Sequence, residues 1–185
     1  PTGRFAVTAP SLFGRLNVAP LMSAFLSRYP AVVGELLLSD RFVNLVEDGI
    51  DLAVRIGVLS DSGLFARKVG ETRRVVVASP KYLARRKTPR SPGDISMHDI
   101  IQFTGIHSTP EWRFSREGQL EPVSFVPTFV TNSADAAIGH AERGGGLTMV
   151  LAYQIMEAVR AGRLKIVLSA HEPPPLPIHL VYPTT

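Results

Sequence analysis

The chain has 185 residues, a formal net charge of +4, 45% hydrophobic and 19% charged residues, and no cysteine. That length suits one large domain or two small lobes, burying about 70% of the unfolded surface without staples. The composition excludes a disordered tail, a span of roughly 20 apolar residues, disulfides, a thiol nucleophile and a cysteine-held metal.

Pro1-Thr2-Gly3-Arg4 leads straight into an alternating run, so no signal peptide is expected. Arg4 to Ala9 reads as a strand, ended by Pro10-Ser11. A helix follows through Leu12, Leu16, Leu21, Phe25 and Arg28, kinked or restarted at Pro20. Leu16, Leu21 and Phe25 can cover a sheet, whereas Val18, Met22 and Leu26 fall on other faces. A helix apolar on more than one face is usually buried twice, which points to a dimer contact.

The stretch Glu35 to Gly57 organises the rest. Leu36-Leu37-Leu38 suits a strand buried on both faces. Ser39-Asp40 offers cap side chains for a short helix whose apolar stripe is Phe42, Leu45 and Val46. Gly49 stands where a left-handed glycine ends a helix. Leu52 to Ile56 is a second strand, closed by Gly57. Together these predict one right-handed βαβ unit with parallel strands. Ser39-Asp40 and Gly57 then share the carboxyl edge of a sheet, where open α/β sheets bind ligands.

Leu59 to Gly63 is a loop, and Phe65 to Gly70 with Thr72 to Ala78 form a strand and a β-rich crossing segment centred on Val75. A short helix, Lys81 to Arg86, and an exposed loop, Lys87 to Asp94, follow. The second set begins with a strand at Ile100 to Phe103, ending at Thr104-Gly105. Glu111 to Ser115 and Val123 to Val126 predict a hairpin turning at Arg116 to Glu121. Trp112, within it, reads as a packing residue. Thr128 to Thr131 is a strand, and Asn132 or Ser133 caps the helix Ala134 to Arg143, whose first turn carries Asp135. Gly144-Gly145-Gly146 follows a helix and precedes a strand, the wrong order for a phosphate loop, so it is a C-cap turn. A strand Leu147 to Leu151, a helix Tyr153 to Ala161, a strand Leu164 to Leu168, a proline-rich linker and a last strand Ile178 to Tyr182 complete the chain. The abrupt start, and the end just past this strand, are those expected of a piece of a longer protein. Crossings near Val75 and Ile178 give two α/β lobes and two hinges.

Several residues have both a local and a ligand-binding reading. Ser11 caps its helix or hydrogen-bonds a ligand there. Asp40 caps or binds, with Ser39 and Arg41 beside it. Arg41 is a cation in a first helical turn, a small conflict that an anionic partner or an Asp40 ion pair would resolve. Ile56-Gly57 offers unobstructed backbone, and Thr104-Gly105 and Asn132-Ser133 end strands in the second half. Helix ends at Ser11 and Ser133 favour an anionic ligand, while Asp40 leaves a neutral or cationic one open. The five histidines have no metal-ligand spacing, and no G-x-S-x-G motif is present. No metal, cofactor or catalytic residue is expected. The arginines are scattered, clustering only at Arg73-Arg74 and Arg85-Arg86-Lys87, which reads as a solvated surface rather than a nucleic-acid stripe.

The stretches GRFAVTAPSLFGRL (Gly3 to Leu16), PLMSAFLSRYP (Pro20 to Pro30), LSDRFVNLVEDGIDLAVRIG (Leu38 to Gly57), RRVVVASPKYL (Arg73 to Leu83) and LPIHLVYP (Leu176 to Pro183) resemble the effector-binding domain of LysR-type transcriptional regulators, in its CrgA-like subgroup. The resemblance implies the α/β, two-lobe fold of type II periplasmic binding proteins, each lobe an open mixed sheet with flanking helices. Lobe I is expected at residues 1–76 with 179–185, and lobe II at 77–178. It implies a cytoplasmic regulatory domain in which a small-molecule effector enters an inter-lobe cleft and changes the geometry of a homodimer or homotetramer. The cleft's expected lining is Ser11, Leu12, Phe13, Ser39, Asp40, Arg41, Ile56, Gly57, Thr104, Gly105, Asn132 and Ser133. The implied dimer pairs Val18, Met22 and Leu26 antiparallel with the partner's helix, at Ala137 and His140. Promoter DNA is the business of a winged helix-turn-helix domain that the quoted stretches do not include, and no membrane contact is implied. A transport solute-binding protein on the same fold is the alternative, and an enzyme of small polar substrates a third reading that the missing motifs oppose.

Overall fold

The computed structural model describes residues 1–41, 43–59 and 63–183. The elements in chain order begin with β1 (Gly3–Ala9), α1 (Ser11–Phe13), a π turn (Gly14–Val18), α2 (Ala19–Arg28), β2 (Val32–Leu38), β3 (Leu52–Ile56) and β4 (Phe65–Thr72). Then come β5 (Arg74–Ala78), α3 (Pro80–Arg86), a 3-10 turn (Pro92–Met97), β6 (Ile100–Phe103), β7 (Glu111–Arg116), β8 (Gln119–Ser124) and β9 (Pro127–Thr131). The last are α4 (Ala134–Glu142), β10 (Leu147–Leu151), α5 (Ala152–Arg160), β11 (Lys165–Val167), a second 3-10 turn (Ser169–His171) and β12 (Leu176–Tyr182).

The chain divides into a first unit, Pro1–Glu71 with Leu176–Thr185, and a second, Thr72–Pro175. The expected bounds at residues 76 and 178 shift by a few positions for a simple reason. β5 pairs with β10 and β11, so all of it belongs to the second unit. Ile178 pairs with Ile56, which keeps the whole of β12 in the first.

The first unit is a five-stranded mixed sheet in the order β2-β1-β3-β12-β4. β1 runs parallel to β2 and to β3, and β12 runs antiparallel to β3. Thus β2 and β3 do point the same way, but β1 lies between them. β2 is an edge strand rather than one buried on both faces: Leu37 and Leu38 are 43% and 41% exposed. The helix expected after it shrinks to one turn. Asn44 Oδ1 accepts the N–H groups of Val46 and Glu47, and the Asp48 N–H reaches Asn44 O at 2.9 Å. Gly49, at φ 61°, ends that turn, and of the described residues of its stripe Leu45 is buried while Val46 is exposed. Phe42, the other stripe residue, and positions 60–62 of the expected loop lie outside the described residues.

The helical run from Ser11 to Arg28 shows how proline sets helix phase. Pro20 has no N–H to offer the carbonyl four residues back. The preceding turn loosens, and Ala19 N–H donates to Gly14 O in π geometry. The extra residue rotates everything after it by about 100°. Met22 and Leu26 therefore pack over Gly34 of β2, and Phe25 meets Phe5 of β1 at 5.8 Å. Leu16 and Leu21, expected against the sheet, are 43% and 70% exposed instead. Under this helix an apolar groove of about 420 Å³ runs along Phe5, Val7, Val54, Ile178 and Leu180. On the sheet's other face Ala6, Leu45, Ile50, Ala53 and Val181 form a second small core.

The second unit has a sheet in the order β11-β5-β10-β6-β9 and a separate β7-β8 hairpin. The main core joins Val76, Ala78, Tyr82, Leu83, Ile95, Ile100, Leu147 and Met149 to the aromatic residues Trp112, Phe114 and Phe125. Trp112 lies 4.8 Å from Phe125, confirming a packing role. The hairpin turns at Glu117-Gly118, φ 51° and 80°, earlier and tighter than expected. α4 packs on β6, β9 and β10, with Ala137 fully buried, so Ala137 is not available to a partner. His140 is half-buried, its ring 4.9 Å from Phe129.

Candidate functional site

In parallel strands the carboxyl ends gather at one edge of the sheet. In the first unit Ala9 sits opposite Leu38, and β3 ends beside them at Ile56. This brings together Ser11, Ser39-Asp40 and Ile56-Gly57, as the spacing predicts. The local chemistry is different from the prediction, however. Pro10, not Ser11, is the N-cap residue, and no side chain of its own caps the helix. The Ser11 N–H instead donates to Asp40 Oδ1 at 3.0 Å. Asp40 is thus a cap, but for the helix of the neighbouring strand end, and its carboxylate already complements the positive helix end. Leu12 is buried and Phe13 half-buried, where Phe13 packs with Ala9, Val54 and Ile178. They support the edge rather than present themselves on it.

The backbone donors here are largely engaged. Ser39 N–H donates to Ala9 O at 3.0 Å and Gly57 N–H to Pro177 O at 2.9 Å. Arg41 N–H donates to Ser39 Oγ at 3.1 Å. The Arg41 guanidinium is exposed and forms no ion pair among the described residues. What this edge leaves for a ligand is the Ser11 hydroxyl, the second Asp40 oxygen and the Arg41 side chain. Gly57, at φ 117°, keeps the turn after β3 clear of a side chain.

In the second unit Phe103 sits opposite Thr131, so Thr104-Gly105 and Asn132-Ser133 are neighbours. Thr104 N–H donates to Thr131 O at 2.9 Å. Ser133, rather than Asn132, is the N-cap: its Oγ accepts the Ala136 N–H at 3.2 Å, and its own N–H donates to Thr131 Oγ1. Asn132 is exposed beside it. Gly105 takes no side chain because a Cβ there would collide with the Phe103 ring.

The same edge holds groups that sequence reading passed over. Arg74 opens β5 opposite Leu151. β10 runs parallel to β6, with Thr148 opposite Ile101, which carries Leu151 alongside Thr104. Arg74, Leu151 and Thr104 therefore form one row across the sheet, next to the Phe103–Thr131 pair. Burial holds Arg74 below its ordinary pKa, with Arg113 adding repulsion. His107, in the loop after β6, is likewise pushed down by burial and then by Arg74 and Arg113. An adjacent arginine pair reads in sequence as surface charge, and only strand pairing reveals Arg74 as partly buried. No cluster of His, Cys, Asp and Glu suited to a metal exists among the described residues.

The model of the LysR substrate binding domain family matches residues 1–185. The HTH-type transcriptional regulator PtxR of Pseudomonas aeruginosa is 32% identical over 184 residues, covering 100% of this chain and 59% of that protein. The regulatory domain of CrgA, a LysR-type transcriptional regulator from Neisseria meningitidis, superposes with TM-score 0.86 at 30% identity, over 100% of this chain and 90% of that one. Full-length AphB, the Vibrio cholerae virulence activator, gives 0.87 at 26% identity, over 100% of this chain and 62% of that one. The chain spans 63% and 59% of the length of the first two curated relatives it matches. No helix among the described residues is long and apolar enough to cross a membrane.

Proposed function

Because this chain belongs to the LysR substrate-binding domain family, with the type II periplasmic-binding-protein-like fold of its regulatory domains, we propose that it is the effector-sensing and dimerising part of a LysR-type transcriptional regulator. The family match along the whole chain carries this reading. Promoter contact belongs to a winged helix-turn-helix domain outside these residues, and the chain acts in the cytoplasm without catalysing a reaction. The relatives are transcriptional regulators, which disfavours a transport solute-binding role.

Both strand-end sets serve effector binding on this reading: Ser11, Ser39, Asp40, Arg41, Ile56 and Gly57 from the first unit, Thr104, Gly105, Asn132 and Ser133 from the second. The effector is a small molecule with an anionic group, for which Arg41 is the exposed cation. The seat of Asp40 on the Ser11 N–H adds a condition: the effector also carries a hydroxyl or amine that the second Asp40 oxygen can accept. Native mass spectrometry of the purified protein identifies the co-bound molecule, and calorimetric titration then measures it. Ser11→Ala and Ser133→Ala should each weaken binding by roughly 0.5–1.5 kcal/mol where they remove a hydrogen bond. Arg41→Ala should weaken it most at low salt, because salt has already screened an exposed charge. Unchanged affinity in all three variants, or tighter binding of a cation, would overturn the assignment.

For the dimer, the π turn changes which residues are offered. Val18, Met22 and Leu26 are half-buried on their own sheet, so we place Leu16 and Leu21, with Val33 and Leu37 of edge strand β2, at the centre of the subunit contact. His140 lies on the opposing surface, joined by exposed Phe129 and Val130 in place of Ala137.

A further inference from the structure

We propose that Arg74, His107 and Arg113 of the second unit form a binding site for a small oxyanion, a carboxylate or a phosphate. The inference stands whether or not an effector meets Ser11 or Ser133.

Two buried nitrogens carry it. Arg74 Nε and His107 Nε2 are each shut off from solvent and have no hydrogen-bond partner among the described residues. Leaving such a group unsatisfied is costly, the more so when it is charged, so native structures rarely retain one without a role. The two residues belong to one neighbourhood. Arg74 stands in the row that includes Thr104, and the loop after β6 brings His107 back toward that row. Gln102 fixes this loop, its Nε2 donating to the carbonyls of His107 and Ser108 at 3.4 and 3.2 Å.

The charge balance points to an anion. Of the nearby carboxylates, Glu172 pairs with Arg73 at 3.0 Å and Glu111 with the site's own Arg113 at 3.3 Å, which leaves Arg74 as the guanidinium there with no carboxylate partner among the described residues. Among the described residues the Arg74 side chain donates to the Pro174 carbonyl alone, at 3.0 Å. The Arg74 and Arg113 guanidinium groups thus repel each other, and burial first, then both arginines, oppose protonation of His107, with Glu111 acting the other way. An oxyanion accepting from Arg74 Nε–H and His107 Nε2–H would supply both missing partners and relieve that repulsion, in the planar geometry that suits guanidinium. Arg74 on β5, Arg113 on β7 and a loop held by Gln102 of β6 give the site its preorganisation.

The test is nuclear magnetic resonance of the His107 ring in the 185-residue chain, titrated with inorganic phosphate and, separately, acetate, at constant ionic strength against chloride. A saturable shift of the His107 nitrogens with either probe, and a His107 pKa that rises on saturation, is the expected result. Whichever probe saturates identifies the site as one for phosphate or for carboxylate. Arg74→Gln and His107→Gln should each weaken binding at least about tenfold. Arg74→Lys, which keeps the charge but loses Nε, provides the same loss in a variant with less risk to folding. Shifts that never saturate, or that chloride reproduces, would mean an adventitious ion only. Saturation that persists in the Arg74 variants, or a water molecule found in slow exchange on both nitrogens, would equally overturn the site.

Discussion

Asp40 and the Ser11 N–H show how one carboxylate can decide what a strand edge accepts. Its bond is worth about 1 kcal/mol as a cap, so Asp40→Ala should lower stability by that amount in urea denaturation. The same variant frees the helix end and should make the edge more receptive to anions. Two histidines of the second unit contribute the first part of the acid response. Burial pushes His98 below its ordinary pKa, with Arg86 adding to the effect. The Tyr82 hydroxyl accepts the Asp99 N–H at 2.8 Å, leaving its proton for His98 Nδ1 at 3.1 Å. His107 is lowered for related reasons. A folded pKa below the unfolded one means the unfolded chain binds more protons. Stability should therefore fall as pH drops below about 6.5 and level off once the folded groups also protonate. The urea midpoint followed from pH 7 downward should show this slope, and His98→Gln with His107→Gln should flatten it.

At the scale of elements, close approaches that only glycine allows are the sharpest constraints. Gly146 has φ 147°, and a Cβ there would run into the Asp99 carbonyl of the backbone. Gly146→Ala should cost about 1–3 kcal/mol in thermal or chemical unfolding, as overpacking does. Gly162 meets nothing and should lose only its left-handed preference. Much of the element order was legible because strand and helix periods are local properties: β1, β3, β6, β9, β10, α4 and α5 fall within a few residues of their expected places. The Ser133 cap and the left-handed Gly49 were legible for the same reason. The misreadings share a cause too. The phase of α2 depends on the π turn at Gly14–Val18 ahead of Pro20, the single turn at Asn44 depends on a side-chain cap, and the exposure of β2 depends on its place at the sheet edge. Arg74 was hidden because burial of a charge follows from pairing across four strands, not from its neighbours in sequence.

For the whole molecule, the dimer proposed above centres on the exposed side chains of Leu16, Leu21, Val33 and Leu37. Leu21→Asp should shift a dimer to monomer in analytical ultracentrifugation, whereas Met22→Asp should destabilise the fold as well, since Met22 lies on Gly34. A persistent dimer of Leu21→Asp with unchanged affinity would place the contact elsewhere. The chain alone should bind duplex DNA weakly or not at all at physiological salt, because its arginines are scattered along the sequence rather than gathered on one element. Sub-micromolar, sequence-specific binding in an anisotropy assay would contradict that.

The place of β12 between β3 and β4 has a consequence during synthesis. The second unit is contiguous, and every strand it needs has left the ribosome by Pro175. The first unit is not: β4 has no neighbour in its sheet but β12, so that half waits through the translation of the whole intervening unit before it can close. Domains generally fold as units in the order in which they emerge, yet here the unit that begins first must finish last. A chain released at Pro175 should therefore show protected amides over residues 72–175 and rapid exchange over β3 and β4, and adding residues 176–183 back should restore protection to both strands together.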